Sequence, residues 1–327
     1  MAYLGVTAKP GEVVRTRVPV GELSDGSPVA LPVAVFQGVR PGPTLYLQAG
    51  LHGDELTGIE ICRVAMASID PKRLAGTVVA VPLANVPAYL GRTRGFLHEE
   101  RWLIDINRIF PGNPHGLLTE RIAHVLFTEF ATAADVALDL HSALDGCDIL
   151  PFVYIDPDDD ETGTLEVRER LGRAFGTPYL YYKPRGSKLG TSDMTRSLRA
   201  QTDALRKPSF SAEMGESRRV SQHLVPLGVR GVHNVLRAMG MEEGQPEVPK
   251  EQRAFRTITL VHAEHGGGLR MAVDLGYDVT AGQEIAQVID VFGQTIERIT
   301  APVAGFVLRV MRLGSIATGA EVAWLAS

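Results

Sequence analysis

The strongest constraint on the fold is a change of pattern near residue 250. Before it, short β-branched apolar runs alternate with segments whose apolar residues recur every three or four positions, as in an amphipathic helix. After it, short apolar runs are separated by glycine-containing turns, and no helical period is seen. Strands that alternate with helices favour parallel pairing, whereas the second pattern is typical of an all-β unit.

The individual elements can be predicted from these periods. Four buried strands are predicted over Thr44–Ala49, Thr77–Leu83, Asp135–Leu140 and Ser209–Met214. Helices are predicted over Thr57–Ile69, Thr119–Ala131 and Ser217–Met239. The segment Met241–Gln252 is rich in charge, Gly and Pro and is the predicted linker. We therefore expect an α/β domain over residues 1–250 and a C-terminal β domain over 251–327. The second domain is expected to narrow access to the functional site of the first.

Composition restricts the classes of function. The chain of 327 residues has 33 basic and 38 acidic residues, which gives a formal charge of −5. Proteins that bind nucleic acid or anionic membranes are usually basic, so neither partner is expected. A membrane-spanning helix needs about 18 consecutive apolar residues, and the sequence has no such run, so no membrane span is expected. We expect a cytoplasmic protein with a small-molecule substrate, and a homo-oligomer is compatible with this composition.

Polar side chains follow the predicted strands at the points where those strands end. The first strand is followed by Gly50–Glu55 and the second by Asn85, while His141 and Glu213 lie at the ends of the third and fourth. Ligands of open α/β sheets bind beyond the carboxyl ends of the strands. The sequence therefore predicts a site built from these segments.

His52, Glu55 and His141 form a candidate metal site. A helix that begins near Asp54 would place His52 and Glu55 about one turn apart, able to point the same way. With His141 they make two imidazoles and one carboxylate with an open fourth position, which is the ligand set of a catalytic Zn²⁺. Asp139 shares a strand face with His141 and could orient a ligand. For His52 and Glu55, the alternative is a surface histidine beside an acid at the start of a helix. For His141, it is a core histidine bound to backbone, and for Asp139 it is a cap at the end of the strand.

Glu213 lies between Ala212 and Met214 at the end of the fourth strand. A carboxyl group partly removed from water there has a raised pKa and can act as general base and then as general acid. The alternative is an ordinary strand-end charge, which is preferred unless the zinc site is accepted.

Asn107 and Arg108 lie in the apolar stretch Ile104–Gly112. The planar guanidinium of Arg108 suits bidentate capture of a carboxylate, and Asn107 could add a second donor. The alternative is a structural ion pair between Arg108 and Asp105. Both interpretations stay open on the sequence alone.

Four motifs occur in a fixed order: HGDE at His52–Glu55, NRIFPG at Asn107–Gly112, DLHS at Asp139–Ser142 and EMG at Glu213–Gly215. Together they resemble the succinylglutamate desuccinylase/aspartoacylase family, which belongs to the zinc carboxypeptidase-like folds. In layout they are most similar to bacterial members of the N-acetyl-diaminobutyrate deacetylase type. The resemblance runs from about Thr44 to the C-terminal β segment and implies a mixed, largely parallel sheet flanked by helices.

The resemblance also implies a role for each matching residue. It implies that the zinc ligands are His52, Glu55 and His141. It implies that Glu213 is the catalytic carboxylate and that the substrate carboxylate is bound by Asn107 and Arg108. Family members hydrolyse the amide bond of an N-acyl amino acid. We therefore expect a deacylase of the acetyl or succinyl type with one Zn²⁺ per chain.

One position departs from the family pattern. Aspartoacylase-like members carry another arginine shortly before the Asn-Arg pair, and it helps to polarise the scissile carbonyl. Arg101 is the nearest candidate in this chain, with Arg94 and Arg92 further back.

Two other functions are compatible with the same residues. A carboxypeptidase acting on small peptides would use the same zinc and the same arginine. A non-enzymatic binding protein on this scaffold is expected to lack a ligand or the base, yet all four positions are occupied. We therefore rank the deacylase first, the carboxypeptidase second and the binding protein last.

Overall fold

A computed structural model describes residues 6–99, 105–144, 146–155, 163–183 and 194–327. The strands in these ranges are β1 (Glu12–Glu22), β2 (Pro28–Gln37), β3 (Arg40–Ala49), β4 (Ala75–Val81), β5 (Val136–His141), β6 (Cys147–Ile149), β7 (Phe152–Ile155), β8 (Tyr179–Tyr182), β9 (Ser209–Glu213), β10 (Arg253–Phe255), β11 (Ile258–His262), β12 (Gly267–Met271), β13 (Asp278–Val279), β14 (Glu284–Ile289), β15 (Thr295–Thr300), β16 (Gly305–Met311), β17 (Ser315–Ile316) and β18 (Glu321–Ala326). The α-helices are α1 (Leu56–Ser68), α2 (Val86–Gly91), α3 (Leu118–Val125), α4 (Leu165–Phe175), α5 (Leu198–Ala204) and α6 (Val225–Ala238). A 3-10 turn covers Ile106–Arg108, and a π-helical turn covers Leu126–Ala131.

Within the described ranges, nine strands form one sheet in the order β1-β2-β4-β3-β5-β9-β7-β8-β10. Strands β4, β3, β5 and β9 run parallel, as do β7, β8 and β10. Antiparallel pairs join β1 to β2, β2 to β4 and β7 to β9. The sheet is therefore mixed and largely parallel, as the resemblance implied. All residues of β4 and β5 are buried, since a parallel sheet is covered on both faces.

Successive side chains of a strand point to opposite faces of the sheet. The central strands are apolar on both faces, so helices pack on both. Leu45 and Leu47 of β3 pack in one core with residues of α1, α4 and α6. Tyr46 packs in the opposite core, where its ring centroid lies 5.8 Å from that of Phe130 in the π-helical turn. Strand β3 is thus held from both sides.

Residues 251–327 contain strands and turns only, as expected. One sheet has the order β11-β18-β16-β13, and a second has the order β15-β14-β12-β17. Their facing side chains share one apolar core. Two strands depart from the predicted division near residue 250: β10 joins the large sheet beside β8, and β6 pairs with β16 of the C-terminal sheet. The domain boundary itself stays a prediction.

The predicted helices occur, with one difference at an N-terminus. Helix α6 begins at Val225, eight residues later than predicted. Before it, the hydroxyl of Ser221 accepts a bond from the N–H of Glu216, and the N–H of Ser221 donates to the hydroxyl of Thr57. These side-chain bonds compete with helical backbone bonds. None of the described helices is long and apolar enough to cross a membrane.

Candidate active site

The parallel strands bring the predicted site residues to one edge of the sheet. Ala49 at the end of β3 pairs with Leu140 of β5. His141 at the end of β5 pairs with Glu213 at the end of β9. The loop that follows β3 carries His52 and Glu55 to the same edge, because parallel strands finish on the same side.

His52 and Glu55 do not converge by a helical turn, contrary to the sequence-based expectation. Helix α1 begins at Leu56, and Glu55 caps it with φ −95° and ψ 79°, outside the helical region. Between them, Gly53 lies against α2: a Cβ there would meet the carbonyl of Ala88 at 2.1 Å. The close approach of this loop to α2, which only glycine permits, therefore sets the direction of both side chains.

The two imidazoles converge on one carboxylate. Nδ1 of His52 lies 2.7 Å from Oε1 of Glu55, and Nδ1 of His141 lies 2.7 Å from Oε2. The N–H of Ser142 donates to Oε2 as well, at 3.2 Å. The three side chains are buried, and one ligand atom from each lies within 4.8 Å of the others. They are placed to share one ion.

Carboxylates also face the outer nitrogens of both rings. Nε2 of His141 lies 2.7 Å from Oδ2 of Asp139, and Nε2 of His52 lies 3.1 Å from Oδ1 of Asp105. Burial by itself would lower the pKa of His141, yet Asp139 and Glu55 raise it well above its ordinary value. Burial would raise the pKa of Glu55, but the two histidines hold it well below.

This donor set fits a divalent cation. An ionised carboxylate only accepts hydrogen bonds, so each ring nitrogen must carry a proton toward its carboxylate. A divalent cation would replace the protons between the two Nδ1 atoms and Glu55, because imidazoles bind metal in their neutral form together with the carboxylate. Imidazole nitrogen with carboxylate oxygen is a common ligand combination for catalytic zinc.

Arg94 links the ligand cluster to Asp105. Its Nη1 donates to Oε1 of Glu55 at 3.1 Å, and its Nε and Nη2 donate to Oδ2 of Asp105 at 3.1 and 2.9 Å. Arg94 was only a secondary candidate in the sequence, since no local pattern identifies an arginine 13 residues before Asn107. Arg101, the first candidate, lies outside the described residues. Arg92 ends α2 with φ 53° and does not line the cavity.

Asn107 and Arg108 line the same cavity. Oδ1 of Asn107 accepts a bond from the N–H of Leu198 at 3.0 Å, which ties this segment to the first residue of α5. Nη1 of Arg108 donates to the carbonyl of Asn107 at 2.9 Å and lies 3.6 Å from Oδ2 of Asp105. The two interpretations of Arg108 are therefore compatible, because it pairs with Asp105 and also borders the cavity.

Glu213 lies beside the ligand cluster. It is directly paired with His141 across two parallel strands and lines the cavity. Although the residue is partly exposed toward the cavity, burial of its carboxyl among protein atoms raises its pKa to about 7. A group that titrates near neutral pH can both take and return a proton.

The cavity over this cluster has a volume of about 150 Å³, room for one small molecule. Several of its lining residues were not predicted from the sequence: Tyr154, Lys183, Arg199, Ser211, Arg309, Glu321 and Trp324. The last three belong to the C-terminal sheets, more than 160 residues after His141. The sequence had no local signal for them. Two histidines of the same C-terminal region, His262 and His265, are exposed and do not line the cavity.

Comparison with known proteins agrees with this geometry. Residues 41–239 match the succinylglutamate desuccinylase/aspartoacylase catalytic domain. The N-alpha-acetyl-L-2,4-diaminobutyric acid deacetylase of Halomonas elongata is 31% identical over 266 residues, which cover 80% of this chain and 75% of the relative. The chain belongs to the succinylglutamate desuccinylase/aspartoacylase family.

Solved structures share the fold over almost the whole chain. The product-bound ectoine utilization protein of Ruegeria pomeroyi superimposes with a TM-score of 0.87 and 24% identity, covering 98% of this chain and 97% of that one. The succinylglutamate desuccinylase/aspartoacylase of Rhodobacter sphaeroides gives a TM-score of 0.83 at 24% identity, covering 97% and 95%. The likeness includes the C-terminal sheets as well as the large sheet.

Proposed function

We propose that this protein is a zinc-dependent deacylase that hydrolyses the amide bond of an N-acyl amino acid of the acetyl or succinyl type. The observation that carries the proposal is the convergence of His52 and His141 on both oxygens of Glu55, next to Glu213. Family membership supports it. So does the relative from Halomonas elongata, which is named a deacetylase of N-alpha-acetyl-L-2,4-diaminobutyric acid.

His52, Glu55 and His141 would hold the Zn²⁺. Asp105 and Asp139 would fix the outer nitrogens of the two rings and so the orientation of both ligands. A zinc ion bound there supplies Lewis-acid chemistry, since it makes water acidic near neutral pH and polarises an acyl carbonyl.

Glu213 is the proposed general base and acid. Its carboxylate takes a proton from the attacking water, and the same carboxyl then returns the proton to the nitrogen of the leaving amine. A pKa of about 7 suits both steps, because the group is neither too weak a base nor too weak an acid at neutral pH.

Asn107 and Arg108 are the proposed grip on the substrate carboxylate. Arg108 supplies a guanidinium at the cavity wall, and the bond from Leu198 to Oδ1 of Asn107 leaves the amide Nδ2 as a donor. Arg101 remains the proposed arginine for the carbonyl oxygen. Arg94 also borders the cavity, although three of its nitrogens already hold Glu55 and Asp105.

The test is a panel of N-acetyl and N-succinyl amino acids incubated with protein of measured zinc content. Release of acetate or succinate that is lost after chelation and restored by Zn²⁺ is the expected result. The His52→Ala variant should lose bound zinc and turnover together, whereas His262→Ala, which changes an exposed histidine away from the cavity, should lose neither. Release of amino acids from dipeptides without deacylation would instead establish the carboxypeptidase.

A further inference from the structure

A serine, a histidine and a glutamate are hydrogen-bonded in a row on the helices that cover one face of the large sheet. Ser68 is the last residue of α1, His233 lies on α6, and Glu242 follows that helix. Oγ of Ser68 lies 2.8 Å from Nε2 of His233, and Nδ1 of His233 lies 2.8 and 3.0 Å from the two oxygens of Glu242. None of the three lines the cavity over the candidate metal site. Hydroxyl, imidazole and carboxylate in this order are the nucleophile, base and orienting acid of serine hydrolases.

The packing of α1 against α6 brings the serine to the histidine. A Cβ at Gly228 would meet Cδ1 of Ile61 at 2.3 Å, so the two helices approach more closely than a larger side chain would allow. Ser68 lies about two turns beyond Ile61, and His233 lies between one and two turns beyond Gly228. Their side chains therefore meet further along the same interface.

The direction of the proton on Ser68 follows from Glu242. An ionised carboxylate only accepts hydrogen bonds, so Nδ1 of His233 carries the hydrogen and Nε2 of the neutral ring accepts. The hydroxyl of Ser68 then donates to Nε2. The carbonyls of Val64 and Ala65 also lie 3.3 and 2.9 Å from Oγ, but that of Ala65 already accepts a backbone N–H at 3.0 Å and does not need the hydroxyl. His233 is thus placed to take the proton of Ser68.

Two cavities adjoin this row. One, of about 170 Å³, contains the side chains of Ser68, His233 and Glu242. The other is an open groove of about 430 Å³ that shares His233 and Arg237 with the first. Its remaining wall is mainly apolar: Val64, Val225, Pro226 and Val229. An acyl group whose carbonyl carbon meets Ser68 could therefore place an apolar chain in the groove.

The charges around the two cavities favour a neutral ligand. The first cavity is lined by three carboxylates and two guanidiniums: Asp70, Glu242, Glu243, Arg73 and Arg237. The groove adds one charge of each sign, Arg230 and Glu247. Because the two signs nearly balance, an acidic or a basic ligand gains little. The guanidinium of Arg237 borders both cavities and can donate to a carbonyl oxygen held between them.

We propose that Ser68, His233 and Glu242 form a second, zinc-independent catalytic centre that hydrolyses neutral esters of short apolar acids. His233 takes the proton of Ser68 while Oγ bonds to the acyl carbon, and the bond from that carbon to the alcohol oxygen breaks as His233 returns the proton to this oxygen. Water then attacks the acyl carbon and gives a proton to His233. The bond to Oγ breaks, Oγ regains a proton from His233, and the carboxylic acid leaves. Glu242 is a positioning residue that keeps Nε2 directed at the serine.

Covalent labelling tests the nucleophile in the full-length, zinc-loaded protein. Diisopropyl fluorophosphate should modify Ser68, as found by peptide mass spectrometry, at the same rate after the zinc is chelated. His233→Ala should slow this labelling at least about tenfold, because the base is lost. A wild type that is not labelled at Ser68, or equal labelling in His233→Ala, would overturn the proposal.

Turnover of p-nitrophenyl butyrate tests the centre as a whole. The metal-free protein is used for this assay, since a zinc-bound hydroxide could also attack the ester. Hydrolysis should fall at least about 10²-fold in Ser68→Ala and in His233→Ala. Glu242→Gln should lower kcat and leave KM unchanged, because it alters the orientation of the base and not the groove. Equal hydrolysis by wild type and Ser68→Ala would overturn the proposal.

Two variants are matched controls. Ser27→Ala removes another exposed serine, whose hydroxyl donates to Asp25 at 2.9 Å and not to an imidazole. His265→Ala removes an exposed histidine whose Nδ1 lies 3.6 Å from Glu297. Both should keep the labelling and the ester hydrolysis. If thermal melting shows that His233→Ala does not fold, His233→Gln retains a polar side chain that cannot act as the base, and full ester hydrolysis by that variant would equally refute the centre.

Discussion

Nε2 of His141 lies 2.7 Å from Oδ2 of Asp139, two residues earlier on the same strand. The period of two along β5 places both side chains on one face, so the contact follows from the strand itself. The same imidazole presents Nδ1 to Glu55. Asp139 therefore determines which nitrogen of His141 is directed at the candidate metal position.

Asp139→Asn is expected to weaken zinc affinity about 10- to 100-fold, because an amide holds the imidazole less firmly than a carboxylate does. Activity at saturating zinc should fall much less. Competition with a chromophoric chelator measures the affinity. Asp70→Asn, which alters an exposed carboxylate on the surface, is the control. Equal affinities in wild type and D139N would refute the orienting role.

Glu213→Gln is expected to keep its zinc and lose turnover by about 10²- to 10⁴-fold, since the amide is nearly isosteric but cannot accept the proton. Metal analysis and steady-state kinetics on the same sample check both halves. Glu60→Gln on α1, whose carboxylate lies 3.6 Å from Arg63, should behave as wild type. Full activity of E213Q would show that another group is the base.

The pH dependence follows from the raised pKa of Glu213. The base acts in its ionised form, which is present above the pKa, so activity should be lost as the pH falls. Burial places that pKa at about 7 in the metal-free protein, and a bound cation would lower it by favouring the carboxylate. Below the pKa that Glu213 has in the metal-bound protein, kcat/KM should fall about tenfold per pH unit.

Carbon-13 NMR of labelled glutamate carboxyls can measure this titration directly. The signal missing from E213Q identifies Glu213, and we expect it to titrate near pH 7 without metal and lower with zinc. A midpoint near 4.5 in the metal-free protein, the ordinary value, would contradict the burial argument.

Gly53→Ala is expected to lower the free energy of unfolding by about 1–3 kcal/mol, because the added Cβ would overlap the carbonyl of Ala88. Zinc affinity should fall as well, since the loop that carries His52 and Glu55 must move. Gly314→Ala is the control, as a Cβ there meets no atom within 4 Å. Denaturant unfolding and zinc titration measure the two effects. Unchanged zinc affinity in G53A would show that the loop adjusts without moving its ligands.

The fold was predictable to the extent that it depends on local periods. The apolar runs predicted β3, β4, β5 and β9, and polar residues at their ends predicted a site at one sheet edge. The helical explanation for His52 and Glu55 was wrong, because a tight loop packed on α2 replaces the first helical turn. That loop depends on a contact with Ala88, 35 residues away, which no local pattern encodes.

The sequence by itself determined the residue types that can bind a metal and move a proton, because motif spacing and strand ends are local properties of the chain. Only the tertiary structure decided which distant side chains enclose them. Pairing of β6 with β16 places Arg309 at the cavity, and pairing of β16 with β18 adds Glu321 and Trp324. Strand pairing and burial depend on the free energy of the whole packed molecule. Many strand registers are compatible with the same local pattern, so the local pattern does not specify which strands pair.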